Sequence, residues 1–171
     1  GSTQVDKKTE YLYYRTGIVN IPKREKILES TSYRMDGTQE SESFYEYGLS
    51  VAEGGDGRPK TLDKVTTYRN TSRDWSGTTY KKTESLYSGR ESREKIARMI
   101  KYNTDEVAIE KSVYDYNGDL GEDGKLAPAQ DDGLDTVKVY RLWADGSESL
   151  KSETFYIGYE GEEIADRTYN Y

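Results

Sequence analysis

Oxygen-bearing side chains alternate through Asp115-Tyr116-Asn117-Gly118-Asp119-Leu120-Gly121-Glu122-Asp123-Gly124. In calcium loops, Asp and Asn turn inward at positions one, three and five. Asp115, Asn117, Asp119, Glu122 and Asp123 are therefore the candidate metal ligands, with Asp131, Asp132 and Asp135 available as late donors. Leu120 stands where such a loop needs its turn glycine, and Leu126 where it needs a bidentate Glu. An acidic, Gly-rich surface loop is the favoured reading, and no cofactor other than calcium is expected.

A second chemistry is ring stacking. Trp75 and Trp143, with Tyr116 and Tyr159 near sheet ends, offer aromatic faces that suit the apolar side of a sugar, although packing is the commoner role of such rings. Catalysis has little to draw on. Histidine and cysteine are both absent, which removes the usual general base, the common zinc ligand and the His-activated nucleophile together. Glycoside hydrolysis needs two carboxylates at a fixed separation, and 32 acids make no pair distinctive. Glu10, Glu42, Glu84 and Glu153 recur at repeat-equivalent positions, which suits cross-strand pairing better than one active centre. Arg34, Arg69 and Arg141, each following a Tyr, fit the same structural role or a cation–π contact. The chain is not expected to be an enzyme.

The elements that carry these residues follow from a repeat. A hydroxyl residue, Glu, any residue, an apolar residue and Tyr recur as Thr9–Tyr13, Ser41–Tyr45, Thr83–Tyr87 and Ser152–Tyr156, with a degenerate copy at Lys111–Tyr114. Each is answered by a second Tyr phrase, Thr31–Arg34, Thr66–Arg69, Ile100–Asn103, Lys138–Arg141 or Arg167–Asn170. Strict alternation of ten segments predicts five repeated β-hairpins. Period-two patterning places strands near 7–14, 26–34, 40–47, 62–70, 78–87, 95–102, 106–116, 135–143, 149–158 and 163–170. Ile96, Met99 and Ile100, with Ser92 as an N-cap, also fit a short helix over 91–102, but the repeat favours a strand there. Asp36-Gly37 and Asp145-Gly146 read as primed hairpin turns. The short turns gather at one end of such a meander and the long connections at the other, where binding loops are expected.

The predicted fold is all-β, an antiparallel up-and-down meander of about ten strands. A barrel or two-layer sandwich is placed ahead of a single-layer open sheet, because wide open sheets tend to curl or split. Residues 1–6 read as a tag remnant (Gly1-Ser2) and disordered start, and 7–171 as one β-repeat domain. Leu, Ile, Val and Phe supply only 28 of 171 residues, a level that ordinarily signals disorder. The 17 periodically placed tyrosines point instead to a thin phenol-lined core. A net charge of −7 argues against nucleic acid, and no apolar run approaches a membrane span.

The Tyr-Arg-x-Asp-Gly phrase of Tyr33–Gly37 and the Lys-Ser-Glu-Thr-Phe-Tyr phrase of Lys151–Tyr156 resemble the Tyr/Gly β-hairpin repeats of bacterial surface proteins. These are the tyrosine-aspartate and variant membrane-occupation-recognition repeats. That resemblance implies an extracytoplasmic, secreted or cell-surface scaffold presenting its long-loop end to a protein or glycan. Two other readings are a small-ligand carrier with a Tyr-lined barrel interior and a carboxylate-dependent glycan-active enzyme. Oligomeric state is left open.

Overall fold

The computed structural model describes residues 8–13, 26–49, 59–89, 94–116, 133–158 and 162–171. They form ten strands: β1 (Lys8–Tyr13), β2 (Ile27–Tyr33), β3 (Gln39–Leu49), β4 (Pro59–Asn70), β5 (Thr79–Ser88), β6 (Lys95–Tyr102), β7 (Ala108–Tyr116), β8 (Leu134–Leu142), β9 (Glu148–Ile157) and β10 (Ile164–Asn170). All pair antiparallel with their sequence neighbours in one sheet of order β1 to β10. The meander is as expected, and the segment with helical spacing is strand β6. Closure is not: no described strand pairs with the outer side of β1 or β10, so the described sheet is an open single layer, neither a barrel nor a two-layer sandwich. The described strands therefore enclose no barrel interior for a small ligand.

An open layer has no inside, and among the described residues no hydrophobic side chain is buried. The buried residues are Ser30, Thr66, Ser112 and Thr136, small hydroxyl residues near the middle of interior strands. Ten strands with both faces wet are held by ladder hydrogen bonds and by side-chain pairs across neighbouring strands, each worth about 0.2–1 kcal/mol.

The tyrosines do a specific job in this layer. Every neighbouring pair of strands slips register, once in each pair except β3–β4, which slips twice, and in each pair a Tyr of the earlier strand stands at the slip. Tyr13, Tyr47, Tyr87, Tyr116 and Tyr156 of the odd strands stand at the slips that skip Leu28, Asp63, Ala97, Asp135 and Asp166. Tyr33, Tyr68, Tyr102 and Tyr140 of the even strands stand at those that skip Glu40, Lys82, Ile109 and Lys151. A bulge sets two residues against one. The single partner must cover the widened span, and a phenol is broad enough while its hydroxyl remains satisfied.

Three short turns share one geometry. Arg34 N–H donates to Thr38 O and Gly37 N–H to Arg34 O, and Trp143/Ser147/Gly146 and Asn103/Val107/Glu106 repeat the pattern. Gly37 (φ 79°), Gly146 (φ 83°) and Glu106 (φ 58°) are left-handed, whereas Asp36 and Asp145 are not. These are type I turns closed by one left-handed residue rather than the primed turns expected from Asp-Gly. The Asp carboxylates accept from Thr38 and Ser147 two residues on, which holds Asp36 at about 2 and Asp145 below its usual range, chiefly through the hydroxyls of those residues.

A Cβ at Gly146 would meet nothing within 4 Å, so its substitution costs backbone strain alone. Gly146→Ala is expected to lower stability by about 1–2 kcal/mol, read as a fall in the urea midpoint with unchanged m-value.

Candidate functional site

Cross-strand partners share a face of the sheet, so the register sorts side chains into two surfaces. One row crosses eight strands as Glu46, Lys64, Leu86, Arg98, Val113, Lys138, Glu153 and Tyr169. The adjacent row, on the opposite face, reads Tyr45, Val65, Ser85, Met99, Ser112, Val139, Ser152 and Asn170. Five residues of the first row are ionised at neutral pH and none of the second. Alternation then places the even-strand tyrosines Tyr33, Tyr68, Tyr102 and Tyr140 on the charged face and the odd-strand tyrosines, from Tyr11 to Tyr156, on the other, where Tyr80, paired with Arg69, lies toward the short-turn end.

From that second row to the long-connection end, the phenol face stays uncharged. It continues through the pairs Tyr47–Leu62, Tyr87–Ile96, Tyr114–Val137, Tyr116–Leu134 and Tyr156–Ala165, with Asp63, Asp135 and Asp166 standing at the bulges beside Leu62, Leu134 and Ala165. In a chain with 33% charged residues, such an area is a concentrated departure. Charge returns at its borders. Toward the short turns stand Lys101, Glu110 and Lys151, with Glu110 holding Lys101 at 2.5 Å and Lys151 at 2.7 Å. Toward the long connections, Lys26 lies 5.4 Å from the Tyr47 ring centroid and Lys95 4.9 Å from that of Tyr116. Glu94 and Glu163 accept the N–H groups of Leu62 and Leu134 there.

The phenols are anchored as well as aligned. Tyr47 and Tyr116 donate to Ile27 O and Ile96 O, both at 2.9 Å, and Tyr45 shares a hydrogen bond with Ser30 at 3.2 Å. Burial raises the pKa of Tyr47, Tyr87 and Tyr114, and pushes that of Tyr116 up to about 12 with help from nearby Tyr114, Glu163 and Tyr87. Tyr87 also feels Tyr45 and Tyr114, and Tyr114 feels Tyr156. Ionised phenolates in this series would therefore repel one another.

Of the residues singled out in the sequence, Tyr116 belongs to this surface. Trp75 and Trp143 do not. Trp75 sits in the β4–β5 connection with its indole N–H donating to Gln39 O. Trp143 opens the β8–β9 turn, half exposed under the Arg141 guanidinium at 5.4 Å. Both lie at the short-turn end, four strands apart, or about 19 Å, so they share no platform with Tyr116. Tyr159 lies outside the described residues.

Asp115 accepts from Thr136 Oγ1 at 3.1 Å and faces Lys138 at 3.7 Å. Asn117, Asp119, Glu122 and Asp123 lie outside the described residues, and among the described residues no three acids are grouped as a metal site. The recurring glutamates have structural partners: Glu10 binds Lys8 and the Tyr33 hydroxyl, Glu84 binds Lys81, and Glu153 binds Lys138. Glu42 differs, its pKa raised by burial and by Glu29. Arg69 reaches Glu40 at 3.4 Å, and Arg34 reaches Thr38 Oγ1 and Gln39 O.

No family model matches the chain, and no curated protein matches it. Among solved structures, a protein of unknown function from Bacteroides fragilis aligns over 99% of this chain and 96% of its own, at 13% identity and a TM-score of 0.29. The functional reading therefore rests on the chain's own residues.

A phenol with a higher pKa folded than unfolded supports the fold fully below about pH 10 and loses that support as pH climbs toward 12. Titration followed by phenolate absorbance is expected to be biphasic. Exposed tyrosines should ionise first, and the late phase should coincide with unfolding and shrink in Tyr116→Phe.

Proposed function

We propose that this chain is a non-catalytic, extracytoplasmic β-repeat binding module that holds a partner protein against its phenol face at the long-connection end. The observation that carries this reading is the uncharged surface from Tyr45 to Tyr156 with ionised side chains at its two borders. Protein interfaces share that anatomy: a centre depleted in charge and enriched in Tyr and Met, with a polar rim. Rings fixed by hydrogen bonds lose little freedom on contact, which favours tight association per unit area. The same observation argues against a catalytic role, because the described acids Glu110, Glu153 and Asp115 are engaged with lysines or hydroxyls. The absence of His and Cys points the same way.

Screening against immobilised extracellular proteins and a glycan array tests the reading. A protein ligand should lose at least tenfold in affinity with Met99→Lys or Val137→Lys, and keep it with Arg98→Glu on the opposite face. Binding that ignores both patch variants, or a sugar ligand with no protein ligand, would refute this assignment.

A further inference from the structure

The two outer strands are the only ones exposed at every residue described for them, and the repeat supplies a rule for what would fit between them. At each junction from an even to an odd strand, the residue two before the even-strand Tyr pairs with the position of the recurring Glu. The pairs are Thr31 with Glu42, Thr66 with Glu84, Ile100 with Lys111 and Lys138 with Glu153. The residue one before that Tyr pairs with the hydroxyl position: Ser32 with Ser41, Thr67 with Thr83 and Val139 with Ser152, while the degenerate copy pairs Lys101 with Glu110.

Among the described residues, β10 is an even strand carrying its Tyr, Tyr169, with no odd strand paired to its outer side, and β1 is an odd strand with no even strand paired to its outer side. The same register sets Arg167 opposite Glu10 and Thr168 opposite Thr9. One pair is oppositely charged and the other couples two threonines, as Thr67 couples to Thr83. Faces agree. Arg167 pairs with Phe155, and Glu10 with Thr31, both on the charged face, while Thr168 shares a hydrogen bond with Thr154 on the phenol face.

The backbone is oriented for this pairing. In β2, β4, β6 and β8 the N–H groups of Arg34, Thr71, Asn103 and Trp143 donate forward to the next strand. By alternation, those of Ser32, Thr67, Lys101 and Val139 do too. Tyr171 N–H points back to Lys151 O on β9, so those of Thr168 and Asn170 point outward. The bulge at Asp166 interrupts β10 just before Arg167, so the described seam is short, which limits its affinity.

We infer that β10 of one copy pairs antiparallel with β1 of a second copy, in the register of the internal even-to-odd junctions, with Arg167 against Glu10. The contact is heterologous, so each addition leaves a fresh edge and association is open-ended rather than closed at a dimer.

Sedimentation velocity at low ionic strength, from about 10 µM to about 1 mM, reads this directly. The average mass of the wild-type chain should rise with concentration without a dimer plateau. Glu10→Arg alone and Arg167→Glu alone should each associate at least tenfold more weakly. Their equimolar mixture should recover wild-type behaviour, because each then offers the edge that the other lacks. Thr168→Pro, which removes an outward N–H, should abolish growth with little change in melting temperature. A wild-type chain that stays monomeric throughout, single variants that associate like wild type, or a mixture that does not recover would each overturn the inference.

Discussion

A broad phenol set at each register slip is the constraint from which this sheet follows. Without a second layer there is no interior to fix where one strand lies on the next, and a slip of one residue moves every side chain to the opposite face. Here the slips are built in, one Tyr at each neighbouring pair. Odd-strand rings mark the long-connection end and even-strand rings the short-turn end. Between them lies unbroken pairing, such as the row from Leu12 through Glu29 and Phe44 to Leu150.

The same arrangement accounts for the two faces. The charged face uses long side chains that serve twice: Lys111 pairs with Glu148 and lies 4.7 Å from the Tyr140 ring centroid, and Lys81 pairs with Glu84 and lies 4.1 Å from that of Tyr102. Exposed pairs of this kind contribute under about 1 kcal/mol each, but they oppose stacking of a second layer, because covering them would strip water from many charges. The phenol face carries no such penalty over its uncharged half. An open sheet can thus present one face to a partner while the other keeps it soluble.

Much of the architecture was legible in the sequence. All ten strands lie near the positions that the two Tyr phrases assign, because a ring needed at each slip leaves a periodic mark. Closure was not legible: low aliphatic content pointed to an open layer, and the tendency of wide sheets to curl outweighed it. The phenol face was hidden for a physical reason. Period-two reading assumes an unbroken ladder, and each bulge shifts the phase, so Tyr45-Glu46-Tyr47 and Tyr114-Asp115-Tyr116 reveal a shared face only once the register is known. The spacing Tyr-x-Tyr on alternate strands was the available signal. Trp75 and Trp143 drew attention by type, but their surroundings assign them to turns.

Equilibrium unfolding of tyrosine variants tests the central claim most directly. Tyr68 stands at a slip with its ring edge-on to Phe44 at 5.7 Å, whereas Tyr80 pairs with Arg69 in regular ladder. Tyr68→Leu is expected to lose about 2 kcal/mol, Tyr68→Phe much less, and Tyr80→Leu under about 0.5 kcal/mol. Equal losses at Tyr68 and Tyr80, or no loss in Tyr68→Leu, would contradict that claim.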